Sequence, residues 1–377
     1  MGQTYGNILG DDPMATLFNP ANVGLMAQDY YFASSFNSPK IEWLPSFAGD
    51  LYYHCNSFTA GINLKDIIGI PVSYGIGYNF RQLDMGKQVI TNEFGPEPLG
   101  YFDSWDESRE LSMSFAMDYF VRASIGFTHK NIKSKLALEA LVETNAYDLG
   151  FILKIPVIVL AERFELFKAE NRFSLKPYFV PGFYYSVTNI GDKVAYIEAS
   201  QADPIPRNAS VGMNIDTGLR YEFRNYLIEL FSFQWAREAD DLLIKTYSDK
   251  PSEYVTGLKD ISFWDNILLG KANDKAITKK GWQYNFANIF SLRKGGYEDI
   301  EGKVMLVTEG YSINFLQPLK LYIAFNNLTS EDNFFRKLIM HLNVQYHHSE
   351  YDAGAGHPLD NTKFNAYVIS LSNFPFH

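Results

Sequence analysis

The sequence has no run long and apolar enough to cross a bilayer as a helix. A spanning helix needs roughly 20 consecutive apolar residues. The best candidate, residues 151–161 (FILKIPVIVLA), is short and is interrupted by Lys154 and Pro156. With a mean hydropathy of −0.16, a helical membrane protein is excluded. Cysteine is almost missing: Cys55 stands alone, which excludes an intrachain disulfide framework and a cysteine zinc site. Positive charge is in deficit, with 33 Lys and Arg against 43 Asp and Glu, for a net charge of −10. No basic stripe offsets it, so nucleic acid is not a partner. There is no G-x-S-x-G elbow, no H-E-x-x-H pair and no Walker A loop. Nothing marks a nucleophile with its base, and the chain reads as a non-enzyme. No signal peptide is seen; for an exported protein this is expected of the mature form, beginning near Gln3. Internal repeats, low-complexity tracts and breaks in composition are also missing, so the 377 residues read as one large unit.

Aromatic residues are abundant: 25 Tyr and 30 Phe bring the aromatic share to 16%. Such enrichment is expected where rings line two membrane interfaces. The most regular stretch is 210–223, SVGMNIDTGLRYEF. Val211, Met213, Ile215, Thr217, Leu219, Tyr221 and Phe223 alternate with Ser210, Gly212, Asn214, Asp216, Gly218, Arg220 and Glu222. This is a period of two, with one apolar and one polar face. Soluble strands run about 5–6 residues; a strand tilted across a bilayer needs roughly 9–11. Charges at Asp216, Arg220 and Glu222 suit a wet lumen, and the apolar face suits lipid.

Similar stretches run along the chain at 29–36, 50–62, 72–81, 111–119, 122–133, 146–155, 173–187, 226–237, 282–294, 303–315, 319–326, 337–347 and 364–376. With 210–223 they make about fourteen strands, an even number as a single-chain bacterial barrel requires. The fold class expected is therefore all-β: one transmembrane antiparallel β-barrel of about 14 strands in a bacterial outer membrane. Residues 28–377 form the barrel. Residues 1–27, with Pro13, Asn19-Pro20 and Gly24, are too rich in turn formers for a strand. They read as a leader that plugs the lumen as a hatch. If the first strand rises from the periplasm, the long gaps 82–110, 188–209, 238–281 and 348–363 lie outside the cell. The gap 156–172 reads as an interfacial amphipathic segment, and the gap 316–318 is oddly short for an outer loop.

Two groups of side chains could carry chemistry. The stretch HHSEYDAGAGH holds His347, His348, Glu350, Asp352 and His357, but adjacent histidines leaving a strand point to opposite sides, and a solvated loop is the preferred reading over a metal site. The acidic pairs Asp240–Asp241, Asp299–Glu301 and Glu331–Asp332 lack calcium-loop spacing and read as loops. No metal and no cofactor is expected, beyond a lipid or detergent in the lumen. The segment 237–281 is different, because Tyr247, Phe263, Trp264 and Ile267 are not needed by a solvated loop; it either packs over the barrel mouth or meets a partner protein. With Phe94, Tyr101, Phe102 and Trp105 of the earlier outer loop they are the expected protein-contact residues, since exposed rings make good anchors.

Residues 186–212 read SVTNIGDKVAYIEASQADPIPRNASVG. Here Thr188, Asn189, Gly191, Asp203, Pro204, Pro206, Arg207 and Gly212 resemble a hairpin of the PorV/PorQ family of outer-membrane proteins. Thr188 stands where that family has Ser, and Ile205 where it has Leu. Asn19, Pro20 and Ala21 resemble its N-terminal motif. Leu292, Arg293, Gly295, Tyr297 and Gly302 resemble a later segment, with Gly296 as an extra residue. The family is similar to the FadL-type fatty acid transporters, which are fourteen-stranded barrels. The resemblance implies a component of type IX secretion that meets a large translocon barrel and exported cargo proteins bearing C-terminal sorting domains. It implies a structural role for the hairpin residues. The alternative is a FadL-like transporter for long-chain fatty acids or other hydrophobic compounds.

Overall fold

The computed structural model describes residues 12–46, 49–92, 95–138, 141–166, 174–196, 202–223, 226–247, 251–258, 260–326 and 333–373. Fourteen antiparallel strands close into one barrel. They are β1 (Tyr30–Asn37), β2 (Tyr52–Asn63), β3 (Val72–Asn92), β4 (Gly95–Asp118), β5 (Arg122–Lys135), β6 (Leu141–Lys154) and β7 (Leu175–Gly191). They continue with β8 (Asn208–Phe223), β9 (Tyr226–Leu242), β10 (Ala276–Phe286), β11 (Phe290–Asp299), β12 (Val304–Asn314), β13 (Leu342–Asp352) and β14 (Lys363–Ser372). Each strand pairs with its sequence neighbour, and β1 also pairs with β14, Asn37 lying opposite Ala366. Among the described residues five short α-helices accompany them: α1 (Ala21–Asp29), α2 (Leu64–Ile68), α3 (Val157–Arg163), α4 (Gln317–Asn326) and α5 (Phe334–His341).

The two faces of the wall are the reverse of those of a soluble protein. Phe58, Ile76, Leu111, Phe115, Ile125 and Phe151 are large, apolar and exposed on the outside. Ser57, Ser73, Asn79, Ser112, Ser124 and Thr128 are polar and buried on the inside. Alternation at period two puts these sets on opposite faces, and the outer face requires lipid. The protein is a transmembrane β-barrel.

Three expected strands differ from the structure. The run 282–294 is two strands, β10 and β11, joined by a turn in which Ala287 and Asn288 take positive φ of 51° and 56°. Neither is glycine, so the turn leaves no mark in an otherwise continuous apolar pattern. The run 319–326 is helix α4. Its buried residues, Lys320, Ile323 and Ala324, follow the helical period, and Pro318 sits in its first turn. The run 337–347 is half helix, since α5 ends at His341 and β13 begins at Leu342. Asn333 caps α5 by accepting hydrogen bonds from the N–H groups of Phe335 and Arg336 at 2.9 and 3.3 Å. One merged hairpin and one false strand cancel, which is why the total stays at fourteen. Helices α4 and α5 thus both lie in the connection from β12 to β13, and the oddly short outer loop at 316–318 disappears.

Antiparallel order sends alternate connections to opposite ends. The loop end carries residues 38–51, the tip of the β3–β4 hairpin, 192–207, 243–275 and 353–362. The turn end carries the turns 119–121 and 287–289 together with helices α2 to α5. Strands β3 and β4, of 21 and 24 residues, are the longest. Beyond the pairing of Asp84 with Trp105 they pair only with each other.

Helix α1 lies within the lumen against β2 to β6. The wall is cut to receive it. A Cβ on Gly126 would sit 2.3 Å from the backbone of Pro20, and one on Gly150 would sit 2.0 Å from the Asn19 amide oxygen. Ser124 Oγ donates to the Ala21 carbonyl at 2.7 Å and Ser73 Oγ to the Gly24 carbonyl at 2.8 Å. Asn19 is fully buried and donates through Nδ2 to the carbonyl of Phe151 at 3.3 Å. The three motif residues Asn19, Pro20 and Ala21 are therefore the contact between the chain and the two glycines. Replacing Gly150 with Val is expected to destabilise the barrel by about 1–3 kcal/mol through overpacking, read as a lower urea midpoint of unfolding in lipid vesicles. Gly49→Val, in the loop 38–51 with nothing within 4 Å of its Cβ position and no left-handed backbone to strain, should leave the lumen packing undisturbed, so a similar loss there would count against this account.

Candidate functional site

The lumen is organised by charge. Arg81 on β3 forms an ion pair with Glu110 on β4. Glu110 faces Lys130 on β5 in the strand register, with 4.0 Å between charged atoms. Lys130 Nζ is 2.8 Å from Asp148 on β6 and donates to the Asn189 amide oxygen on β7 at 3.0 Å. Asn189 is in the left-handed region, with φ 59°, and its N–H donates to Asp148 at 2.8 Å. Its Nδ2 donates to the Pro206 carbonyl at 2.7 Å. A polar belt thus crosses five neighbouring strands and ends on the hairpin singled out in the sequence. Asn suits the left-handed position because its short amide tolerates that backbone and supplies donor and acceptor together. Lys130 is 1% exposed, and in such surroundings a charge is tolerated only with its partners in place.

The remaining hairpin residues knit the loop end together. Arg207 donates to the Gly191 carbonyl at 3.1 Å and lies 3.8 Å above the ring of Tyr254. Tyr254 accepts from the Ile205 N–H at 2.9 Å and donates to the Asp192 carbonyl at 3.3 Å. Burial holds the Tyr254 phenol above its usual range. Asp203 and Pro204 pair with Val194 and Lys193 in a small ribbon. The described residues of the loops 192–207 and 243–275 are thus joined through Asp192, Ile205, Arg207 and Tyr254. Gly191 has no room for a side chain, since a Cβ would lie 2.6 Å from the Asn145 carbonyl.

A second charged cluster lies under the loop 243–275. Lys279 on β10 reaches Glu238 and Asp240 on β9 at 2.8 and 2.6 Å, and Tyr184 donates to Glu238 at 2.7 Å. Above it, residues Phe263–Leu268 form a π-helical turn whose Leu268 carbonyl accepts from Arg237 at 2.6 Å. Ile267 is completely buried. It anchors the loop from within and is not available as a contact.

The other expected contact residues fall in two places. Phe263 and Trp264 stand side by side, with ring centres 5.8 Å apart, and Trp264 is 70% exposed. Tyr101, 62% exposed, lies with Phe102 on the projecting β3–β4 hairpin; Trp105 marks its base, opposite Asp84 and Lys135. Tyr247 is half-buried and donates to Glu253 at 3.4 Å. Phe94 lies outside the described residues. His347 and His348 belong to β13 rather than to a loop. His347 Nδ1 is 2.7 Å from an Arg293 nitrogen, and His348 Nδ1 is 2.8 Å from the Asn365 amide oxygen. Asp240 and Asp241 lie in β9 and are buried, which corrects their reading as a solvated loop; Glu331 and Asp332 are outside the described residues.

A cavity of roughly 560 Å³ occupies the turn-end half of the lumen beside α1. Its wall carries carboxamides from Gln234, Gln283, Asn285, Asn314, Asn343 and Gln345. Charged groups enter from Arg122, Lys154, Asp216, Arg220 and Glu229, and Tyr178 donates to Asp216 and Glu229 at 3.3 and 3.2 Å. In the sequence Lys154 is merely the residue that spoils an apolar run, so this cavity leaves no motif.

No protein-family model matches the chain, and no curated protein matches it. Among solved structures, similar ones include the Pseudomonas putida toluene transporter TodX, at 10% identity over 99% of this chain and 96% of that one, with a TM-score of 0.42. The CymD monoaromatic hydrocarbon channel is similar at 10% identity over 100% and 97% of the two chains, TM-score 0.41. The translocator domain of the autotransporter NalP from Neisseria meningitidis is similar at 9% identity over 93% and 88%, TM-score 0.35. These likenesses are distant, and no property of those proteins is carried over from them.

Breaking the belt is expected to be costly. Lys130→Met leaves Glu110 and Asp148 without their shared cation and should lower stability by about 3–5 kcal/mol, measured by urea unfolding in vesicles. Adding Asp148→Leu to that variant should recover part of the loss. No recovery in the double variant would show that the pair is not coupled.

Proposed function

We propose that the protein is a bacterial outer-membrane barrel of the PorV/PorQ kind, serving type IX secretion by binding the translocon or exported cargo through its loop end. The observation that carries this reading is the place of the resembling residues. Asn189, Gly191, Asp203, Pro204, Pro206 and Arg207 form the joint between the lumenal belt and the loops 192–207 and 243–275. From the second of these loops Phe263 and Trp264 project into solvent. Helix α1 packs against β2 to β6 within the lumen and the charged belt crosses the wall beyond it, which favours work at the rim over passage through the middle. No catalytic role is assigned to any residue.

A second reading is a transporter for fatty acids or other hydrophobic compounds. The cavity beside α1 favours it, because Leu25, Met26, Ile158 and Val159 form an apolar patch in its lining. Purification of the tagged protein from native membranes, with mass spectrometry of what it retains, separates the two. The secretion reading expects a giant barrel protein, or secreted proteins sharing one C-terminal domain. Trp264→Ala should lower that recovery several-fold while the barrel still folds, since exposed aromatic anchors carry a disproportionate share of binding. Recovery of the barrel alone with stoichiometric fatty acid would overturn the secretion reading in favour of transport.

A further inference from the structure

We infer that the lumen cavity contains an anion-binding site centred on Lys154, and that its ligand is a small hydrophilic monocarboxylate. Lys154 ends β6 and faces inward, as do the buried Ile152, Asp148 and Ala146 of the same strand. It is 4% exposed and lines the cavity. Among the described residues its ammonium forms no hydrogen bond and no ion pair. The register explains why. On one side its partner across the sheet is Arg122, another cation, and on the other it is Gly182, which has no side chain. Like charges placed directly opposite are unfavourable unless something neutralises them. Arg122 has its own acceptors, Asp29 at 3.3 Å and Asp118 at 3.7 Å. The charged groups that face Lys154 are Arg122, Asp216 and Asp29, and neither carboxylate comes within the 4 Å of an ion pair. An enclosed lysine head without protein acceptors is costly; its ammonium opens on the cavity, where an anion would supply them.

The rest of the wall specifies the ligand. Asp29, Asp216 and Glu229 also line the cavity, and they would repel a multiply charged anion such as a phosphate ester more than a single carboxylate. Beyond the charged residues the far wall offers carboxamides and hydroxyls, among them Gln283, Asn285, Gln345 and Ser312. These are paired donors and acceptors of the kind that meet amides and alcohols. The cavity, at roughly 560 Å³, has the size of a small-molecule site. The inference stands apart from the secretion reading, since it concerns the lumen and not the rim.

The test is calorimetric titration of the full-length barrel in detergent with N-acetylglycinate, its neutral amide N-acetylglycinamide, and decanoate. Saturable binding of N-acetylglycinate, at least tenfold tighter than of the amide, is expected. Lys154→Met should weaken it at least tenfold, Lys154→Arg should retain most of it, and Asp216→Asn should strengthen it by removing a competing negative charge. Heat-modifiable migration on gels confirms that each variant is a closed barrel; if the Met variant fails to close, the Arg and Asn variants still decide. Equal binding of acid and amide, no binding at millimolar concentration, or an unchanged Lys154→Met variant would overturn the proposal. So would binding of decanoate alone, since it would make the cavity an amphiphile site.

Discussion

A sheet in hydrocarbon has no water to satisfy its edges, so it must close on itself. Every other feature of this molecule follows from that constraint. Closure joins β1 to β14, the ends of the barrel chain. It also fixes which side chains face inward, because a strand's period of two leaves no choice once the outer face is committed to lipid. The inward residues are then confined with one another in a space that is wet in part and packed in part. Where α1 fills it, the wall is glycine and serine. Where nothing fills it, the wall is carboxamide and charge.

The charged belt shows how closure and polarity support each other. Arg81, Glu110, Lys130 and Asp148 sit on four consecutive strands and alternate in sign. Each carboxylate lies between two cations or between a cation and an N–H group, so no charge is left alone. The belt ends at Asn189, whose left-handed backbone would be strained in most residues but places both ends of its amide in use. Through Pro206 and Arg207 the same line of contacts continues into the loops. The described part of the rim is therefore tied by hydrogen bonds to the wall beneath it.

Much of the fold is legible in the sequence because lipid enforces a strict period of two. Residues 210–223 and 72–81 alternate without a break, and the strands there lie where the pattern puts them. The pattern fails where something other than lipid covers the apolar residues. In α4 Leu319, Leu321, Ile323 and Phe325 alternate at strand spacing, while Leu319 and Ile323 also lie four apart as in a helix, and only packing decides. At Ala287 and Asn288 a tight turn is made by residues that do not announce one. The site is less legible still. Asn189 and Arg207 stand out through a resemblance, but Lys130, Tyr254 and Lys154 have no local signal. Their surroundings are assembled from strands far apart in sequence, and the partners of a lumenal residue are set by register across the sheet.

The seat of α1 has a consequence for biogenesis. Its residues come first in the barrel chain, yet the seam that encloses them joins Asn37 to Ala366 and forms only when nearly the whole chain is present. Contacts so distant in sequence are slow to form. Gly126 admits the backbone of Pro20 and Ala21, and Gly150 admits the Asn19 side chain and the Pro20 ring, leaving little slack for a later entry through a finished wall. The helix must already lie against β2 to β6 while the sheet is still an open, curling ribbon. The nascent barrel is thus wound around its own first segment, which serves as the mandrel for the wall that finally imprisons it.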